Sequence, residues 1–150
     1  MWRYDPVVST SLTPPEWHLH NFAELAWELT GVVDEVVVSF AQIYRKTARN
    51  MDRAASARDF AWNDPEAEEK RHLLAAFADT AAAHGMTLSL CGQPQLIAGG
   101  ATEARCIDAR RLGDAAGRPI AAQAKPHRKT CACVASRDIG AYDTCPHGCV

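Results

Sequence analysis

The chain has 150 residues, of which 47% are hydrophobic and 23% are charged, the composition of a single ordinary globular domain. Its net charge of −2 provides no basic field for nucleic acid or for an anionic membrane. No apolar run approaches the roughly 20 residues of a membrane-spanning helix, and the N-terminus lacks the basic and apolar regions of a signal peptide. We therefore expect a cytoplasmic protein whose thiols are reduced.

The N-terminal third predicts a strand followed by a helix. The segment "WRYDPVV" is rich in aromatic and β-branched residues, which is typical of a strand. The next segment carries a helix start in which Thr13 and Glu16 are spaced as a capping box. Pro14 and Pro15 suit the first turn because their missing N–H groups cost nothing there. Gly31 is expected to end this helix.

Two further strands and a second clear helix follow. The unbroken run Val36–Val38 predicts a strand that is buried on both faces, as in a parallel sheet. The helix is expected to begin at Asn63 or Asp64, with Pro65 in its first turn, and to end at Gly85. The segment "MTLSLC" predicts the third strand. This alternation favours the α/β class, with three βα units and parallel strands.

The character of the sequence changes after Cys91, which we interpret as a small buried apolar residue. We expect residues 1–100 to form a βαβαβ unit and residues 101–150 to form an irregular, cysteine-rich tail with one short helix near 102–112. Three parallel strands leave two unpaired edges. The sequence therefore predicts either association through these edges or a place for the chain within a larger protein.

The tail holds most of the cysteines. Of six in the chain, four lie in the last 20 residues, as Cys131-x-Cys133 and Cys145-x-x-x-Cys149. In a cytosolic chain, clustered thiols indicate metal binding or redox chemistry rather than disulfides. Soft thiolates select zinc, copper(I) or iron–sulfur clusters. Structural zinc usually takes C-x-x-C pairs, and neither pair has that spacing.

Other candidate residues have plainer alternatives. Arg3 and Asp5 are two apart on a strand, so they share one face near its carboxyl end, where the active sites of βα barrels gather. They are the candidate catalytic residues, and a local ion pair is an equal alternative. Ser39 is interpreted as an ordinary polar residue at a strand end. His127 and His147 are possible metal ligands, although solvated loop histidines are the plainer interpretation.

The closing segment "CACVASRDIGAYDTCPHGCV" resembles the end of an uncharacterised bacterial family known as domain of unknown function eighteen-forty-eight. Upstream, "WRYDPVV", "VVVSFAQIYRKTARN", "LSLC" and "CIDARRL" resemble landmarks of that family in the same order. The family is similar in layout to a partial or complete (βα) barrel of about twice this length. The resemblance implies that this chain corresponds to the C-terminal half, that is, half of a barrel followed by the cysteine-rich tail.

In that family the closing phrase continues to a third cysteine, which completes the C-x-x-x-C-x-x-C pattern of radical S-adenosylmethionine enzymes. The resemblance implies a 4Fe–4S cluster with S-adenosylmethionine as a further cofactor, and a small-molecule or macromolecular substrate that it does not identify. Cys145 and Cys149 are the implied cluster ligands, and Asp143 and Gly148 are the candidate cofactor contacts. The further candidate ligands are Cys106, Cys131 and Cys133. The alternatives are a zinc-stabilised domain without catalysis and a fragment whose parent performs the chemistry.

Overall fold

The structure, a computed structural model, describes residues 1–125, 130–137 and 139–140. Six candidate residues lie outside the described residues: His127, Asp143, Cys145, His147, Gly148 and Cys149. The elements, in chain order, are β1 (Trp2–Val7), α1 (Pro15–Glu28), β2 (Glu35–Phe40), α2 (Arg45–Arg58), α3 (Ala67–Ala83), β3 (Thr87–Leu90), a 3-10 turn (Pro94–Leu96), β4 (Thr102–Glu103) and α4 (Ala109–Ala116).

The described strands form a parallel sheet in the order β1-β2-β3-β4. This confirms the predicted α/β class, and consecutive parallel neighbours are the arrangement of a partial (βα) barrel. The fourth strand lies where the sequence predicted only a short helix, and that helix begins later, at Ala109. A strand of two residues is too short to show a hydrophobic period, so the sequence pattern did not indicate it.

Both long helices that cover the sheet begin differently from the prediction. The Thr13 hydroxyl donates to the Val8 carbonyl at 2.9 Å, so it does not cap α1, for which no side-chain cap is present. Helix α3 begins at Ala67, a few residues later than predicted, because Glu66 and Glu69 form a reciprocal capping box there. A carboxylate at the N-cap satisfies the same orphan N–H groups that a hydroxyl would.

One face of the sheet, covered by α1 and α3, holds the hydrophobic core. Phe22 of α1 and Phe77 of α3 are fully buried, and their rings stack with centroids 4.3 Å apart. The strand residues beneath them alternate along each strand, because successive side chains point to opposite faces. These strand residues are Trp2, Tyr4, Val36, Val38, Phe40, Leu88 and Leu90.

The alternate strand residues form the opposite face, which we call the polar face. Its members are Arg3, Asp5, Glu35, Val37, Ser39 and Ser89. At the amino end of the strands, Glu35 accepts hydrogen bonds from Ser89 and from Arg111 of α4, each at 2.8 Å. Arg111 also pairs with Asp34, so α4 is fastened to the amino-terminal edge of the sheet. Cys91 and Cys106 lie together at the carboxyl end of this face.

In the described part of the chain, none of the helices combines the length and apolar character that a membrane span requires.

Candidate functional site

Arg3 and Asp5 meet on the polar face as the sequence predicted. Arg3 Nε donates to Asp5 Oδ1 at 3.1 Å and Arg3 Nη2 donates to Asp5 Oδ2 at 2.6 Å. The Ser39 hydroxyl, at the end of the neighbouring strand, donates to the same carboxylate at 3.4 Å. A two-pronged ion pair of this kind fixes the plane of the guanidinium. Ser39 therefore helps to hold the pair, beyond the plain strand-end role expected for it.

The free edge of this guanidinium points at two thiols. Arg3 Nη1 donates to Cys106 Sγ at 3.1 Å, and Cys106 Sγ lies 3.4 Å from Cys91 Sγ. This separation exceeds the roughly 2.05 Å of a disulfide bond, so both residues are thiols. Cys91 follows β3 and Cys106 follows β4, and the parallel pairing of these strands brings the two cysteines together.

Cys91 is therefore not the buried apolar residue that the sequence predicted. It is partly exposed, and its sulfur contacts a second sulfur. The contact joins residues 15 positions apart, across a strand too short to recognise from periodicity. The sequence offered a signal for Cys91, its position at the end of a predicted strand, where sites gather in parallel sheets, and none for Cys106.

The segment that carries Cys131 and Cys133 packs beside this pair. Cys133 is buried, with 4% of its surface exposed, and its sulfur accepts a hydrogen bond from the Ile107 N–H at 3.4 Å. Thr130 donates to the Gly92 carbonyl at 2.7 Å, which ties the segment to the end of β3. Four cysteines from three stretches of sequence thus lie around the carboxyl ends of β3 and β4.

Burial and neighbouring sulfurs set the charge of these thiols. Burial, followed by the hydrogen bond to Cys106, raises the pKa of Cys91 from about 9 to about 11, although Arg3 opposes the shift. Burial, with a hydrogen bond to Cys131, also raises the pKa of Cys133. The hydrogen bond to Asp5, and then that to Cys106, raises the pKa of Arg3. Cys91 is therefore protonated at neutral pH beside a permanently charged guanidinium.

The cysteine side chains at these strand ends are of the kind that ligates a metal through thiolates. Sulfur ligands 2.3 Å from a tetrahedral metal are about 3.8 Å apart, close to the 3.4 Å between Cys91 and Cys106. Within residues 1–125, 130–137 and 139–140, however, no group of three or more His, Cys, Asp or Glu side chains is arranged to hold a metal ion. The described residues therefore supply a close thiol pair, with Cys131 and Cys133 nearby, but not a complete ligand set.

Comparison with known proteins gives one match. The model of the family described as Domain of unknown function (DUF1848) matches residues 1–150. No curated protein and no solved structure matches the chain. Since the match extends over the whole chain, the protein belongs to the family described as Domain of unknown function (DUF1848).

Proposed function

We propose that this chain binds an iron–sulfur cluster at the carboxyl end of its sheet. The observation that carries the proposal is the 3.4 Å contact between the sulfurs of Cys91 and Cys106, with the Arg3 guanidinium 3.1 Å from Cys106. Thiolates are the usual ligands of iron–sulfur clusters. The proposed ligands are drawn from Cys91, Cys106, Cys131, Cys133, Cys145 and Cys149.

Arg3 and Asp5 have distinct parts in this proposal. Arg3 supplies a fixed positive charge and N–H donors at a sulfur, and hydrogen bonds to ligating sulfurs tune the reduction potential of a cluster. Asp5, held in turn by Ser39, keeps the guanidinium in position. The same charge is available to an anionic group of a substrate that approaches the strand ends.

The bound cluster would supply one-electron chemistry. By the family resemblance, S-adenosylmethionine would be a further cofactor, and Asp143 and Gly148 are its proposed contacts. The protein's contribution is to hold the ligands and exclude water. This proposal assumes a reducing compartment such as the cytoplasm, since the thiols must stay unoxidised. Association through the edges at β1 and β4 is a further expectation, because unpaired parallel edges favour it.

Thiol–disulfide exchange fits the pair less well than metal binding does. The attacking species in exchange is a thiolate, whereas the pKa of Cys91 is raised to about 11. Metal binding displaces the proton from each ligand thiol, so a raised pKa makes metal uptake dependent on pH without preventing it. The pair is therefore better suited to ligating a metal.

A structural zinc site is the second candidate. The segment around Cys133 is held by backbone hydrogen bonds as well as by the contact with Ile107. The Lys125 N–H donates to the Cys133 carbonyl at 3.2 Å, and the Ala135 N–H donates to the Gln123 carbonyl at 2.8 Å. A zinc ion shared between this segment and Cys106 would fasten the tail to the sheet, which is the usual role of structural zinc.

Anaerobic metal and sulfide analysis of the whole chain, with a visible spectrum, tests the proposal. We expect iron and acid-labile sulfide together with a brown colour, and we expect both to be lost in Cys106→Ala and in the double variant Cys145→Ala, Cys149→Ala. Ser56→Ala is the matched control, because it also removes one side-chain heteroatom, at an exposed position on α2. It should retain the wild-type iron and sulfide content. Zinc without sulfide would favour the structural site, and unchanged iron in the cysteine variants would reject the assignment.

A further inference from the structure

A second concave site lies on the other side of the sheet from the thiols. A cavity of about 390 Å³ opens beside the carboxyl ends of β1 and β2, between the amino-terminal turns of α1 and α3. Val7 and Phe40, which belong to the hydrophobic core, form part of its floor. None of the cysteines that the structure describes, and neither member of the Arg3–Asp5 pair, lines it. This volume falls in the range of about 300–1,000 Å³ that small-molecule sites occupy.

The mouth of the cavity is formed by two loops that are fastened to each other. The Ser11 N–H donates to the Ala61 carbonyl at 2.8 Å, and the Asn63 N–H donates to the Ser9 carbonyl at 3.3 Å. Side chains repeat the link, because the Ala61 N–H donates to Ser11 Oγ at 3.0 Å and Ser9 Oγ donates to Asn63 Oδ1 at 2.9 Å. The entrance is thus shaped before a ligand arrives, which lowers the entropy that binding must overcome.

The charged side chains of the lining are engaged within the protein or lie at its exposed rim. Among the described residues that line the cavity, the charged ones are Asp64, Glu69 and Lys70. Lys70 Nζ pairs with Asp64, so an anionic ligand would lose its hydration without gaining a free cation, and burying an unpaired charge is costly. The Glu69 carboxylate is exposed and accepts the Glu66 N–H at 3.0 Å, so it would give a cationic ligand only the weak pairing of a solvated surface charge.

His18, the remaining titratable side chain of this lining, is also engaged at both ring nitrogens. Its Nδ1 is 2.9 Å from the Tyr4 hydroxyl and its Nε2 is 3.0 Å from the Val8 carbonyl. Because a carbonyl only accepts, Nε2 donates to Val8. Both ring nitrogens are thus engaged within the protein, and neither is left for a ligand.

What the cavity offers a ligand is apolar surface and a fixed aromatic ring. The apolar lining consists of Val7, Val8, Pro14, Pro15, Phe40, Ala41, Ile43, Ala61, Trp62, Pro65 and Leu73. The Trp62 indole is anchored from outside the cavity, since its Nε1 donates to Asp52 Oδ1 at 3.0 Å. An indole held at this edge lines the cavity in a constant orientation, which suits contact with a second ring.

We infer that this cavity is a binding site for an uncharged, predominantly apolar ring compound. The pairing of Lys70 with Asp64 leaves no free cation for an anionic ligand, and the exposed Glu69 offers a cationic one little. The volume limits the size of the ligand, and Trp62 favours a planar ring. The inference is independent of the proposed iron–sulfur function, because it rests on different residues on the opposite face of the sheet.

Titration of the full chain with 2-aminoanthracene, a neutral fluorescent ring compound, tests the inference, with the anion anthracene-2-carboxylate as the matched probe. We expect saturable binding of one neutral probe per chain, quenching of tryptophan fluorescence, and at least tenfold weaker binding of the anion. Ala41→Phe should weaken binding of the neutral probe at least tenfold by filling the cavity. Ala82→Phe, at an exposed position on α3, adds the same ring elsewhere and should bind as the wild type does.

Circular dichroism and the urea midpoint establish that each variant is folded, and Ile43→Trp repeats the filling test if Ala41→Phe does not fold. Three results would overturn the inference. These are the absence of saturable binding to the wild type, equal binding to a folded cavity-filled variant, and equal or tighter binding of the anion.

Discussion

Strand β1 shows how differently the two faces of this sheet are built. Trp2 and Tyr4 point to the helix-covered face, where the Tyr4 ring lies 5.2 Å from that of Phe22. Arg3 lies between these two residues in the sequence and Asp5 follows Tyr4. Both point to the polar face and form an ion pair next to Cys106. The two-residue period of a strand thus separates side chains of the hydrophobic core from side chains of the proposed site. Substitutions on the two faces should have separable consequences.

The largest effect on stability is expected on the helix-covered face. Phe77→Ala removes a fully buried ring that stacks on Phe22, and such truncations cost about 3–5 kcal/mol. Urea unfolding measures the change in the free energy of unfolding. Trp27→Ala also removes a large ring, but at a position that is 71% exposed, so it should change stability by less than about 0.5 kcal/mol. Equal losses in the free energy of unfolding of Phe77→Ala and Trp27→Ala would contradict the placement of Phe77 in the core.

The polar face should respond in metal affinity rather than in stability. Arg3→Met removes the donor to Cys106 and the partner of Asp5, and loss of such an outer partner typically lowers metal affinity about 10–100-fold. Competition with a chelator measures affinity, and urea unfolding of the metal-free chain checks that stability is retained. Arg53→Met, at an exposed position on α2, is the matched control. Unchanged metal affinity in Arg3→Met would show that Arg3 does not contribute to the metal site.

The thiols also predict a decline of stability at alkaline pH. The pKa of Cys91 is raised in the folded chain from about 9 to about 11, so the folded state retains this proton more tightly than the unfolded state does. The associated stability is fully present below pH 9 and is lost as the pH rises toward 11. The midpoint of urea unfolding of the metal-free chain, measured between pH 8 and 11 under reducing conditions, should therefore fall. In Cys91→Ala the urea midpoint should fall less over the same pH range. An identical fall in the two proteins would show that the raised pKa of Cys91 does not cause the decline.

The smallest effect is expected at the amino end of the polar face. Arg111→Met removes the ion pairs that fasten α4 to Asp34 and Glu35, and exposed pairs of this kind contribute little to global stability. We expect faster amide hydrogen exchange in α4 with a nearly unchanged urea midpoint. Arg110→Met, on the same helix, should leave that exchange unaltered. Equal acceleration in both variants would show that the pairs do not hold the helix.

The parts of the fold that sequence predicted are those with a local signal. The strands around Arg3 and Val37 are rich in aromatic and β-branched residues, and the helix around Phe22 has a proline in its first turn. The two-residue period of a strand placed Arg3 and Asp5 on one face. The cap at Thr13 was wrong because its hydroxyl bonds to the Val8 carbonyl, a contact made by the loop rather than by the helix.

The parts that sequence did not predict depend on contacts between distant residues. β4 has two residues and is defined by its pairing with Ser89 and Leu90 of β3, so no local pattern marks it. The contact between Cys91 and Cys106 is a consequence of that pairing. Spacing within the tail directed attention to Cys131 and Cys133, whereas the 3.4 Å sulfur contact combines one cysteine before that tail with one inside it.

The most direct test of the central claim, that the polar face binds an iron–sulfur cluster, is the iron and acid-labile sulfide content of the anaerobically prepared chain. The iron content, sulfide content and visible spectrum of the wild type are compared with those of Cys106→Ala. We expect iron, sulfide and a brown colour in the wild type. All three should be lost in Cys106→Ala, while the urea midpoint of the metal-free chain is retained. Zinc alone, no metal, or an unchanged iron content in Cys106→Ala would contradict the claim.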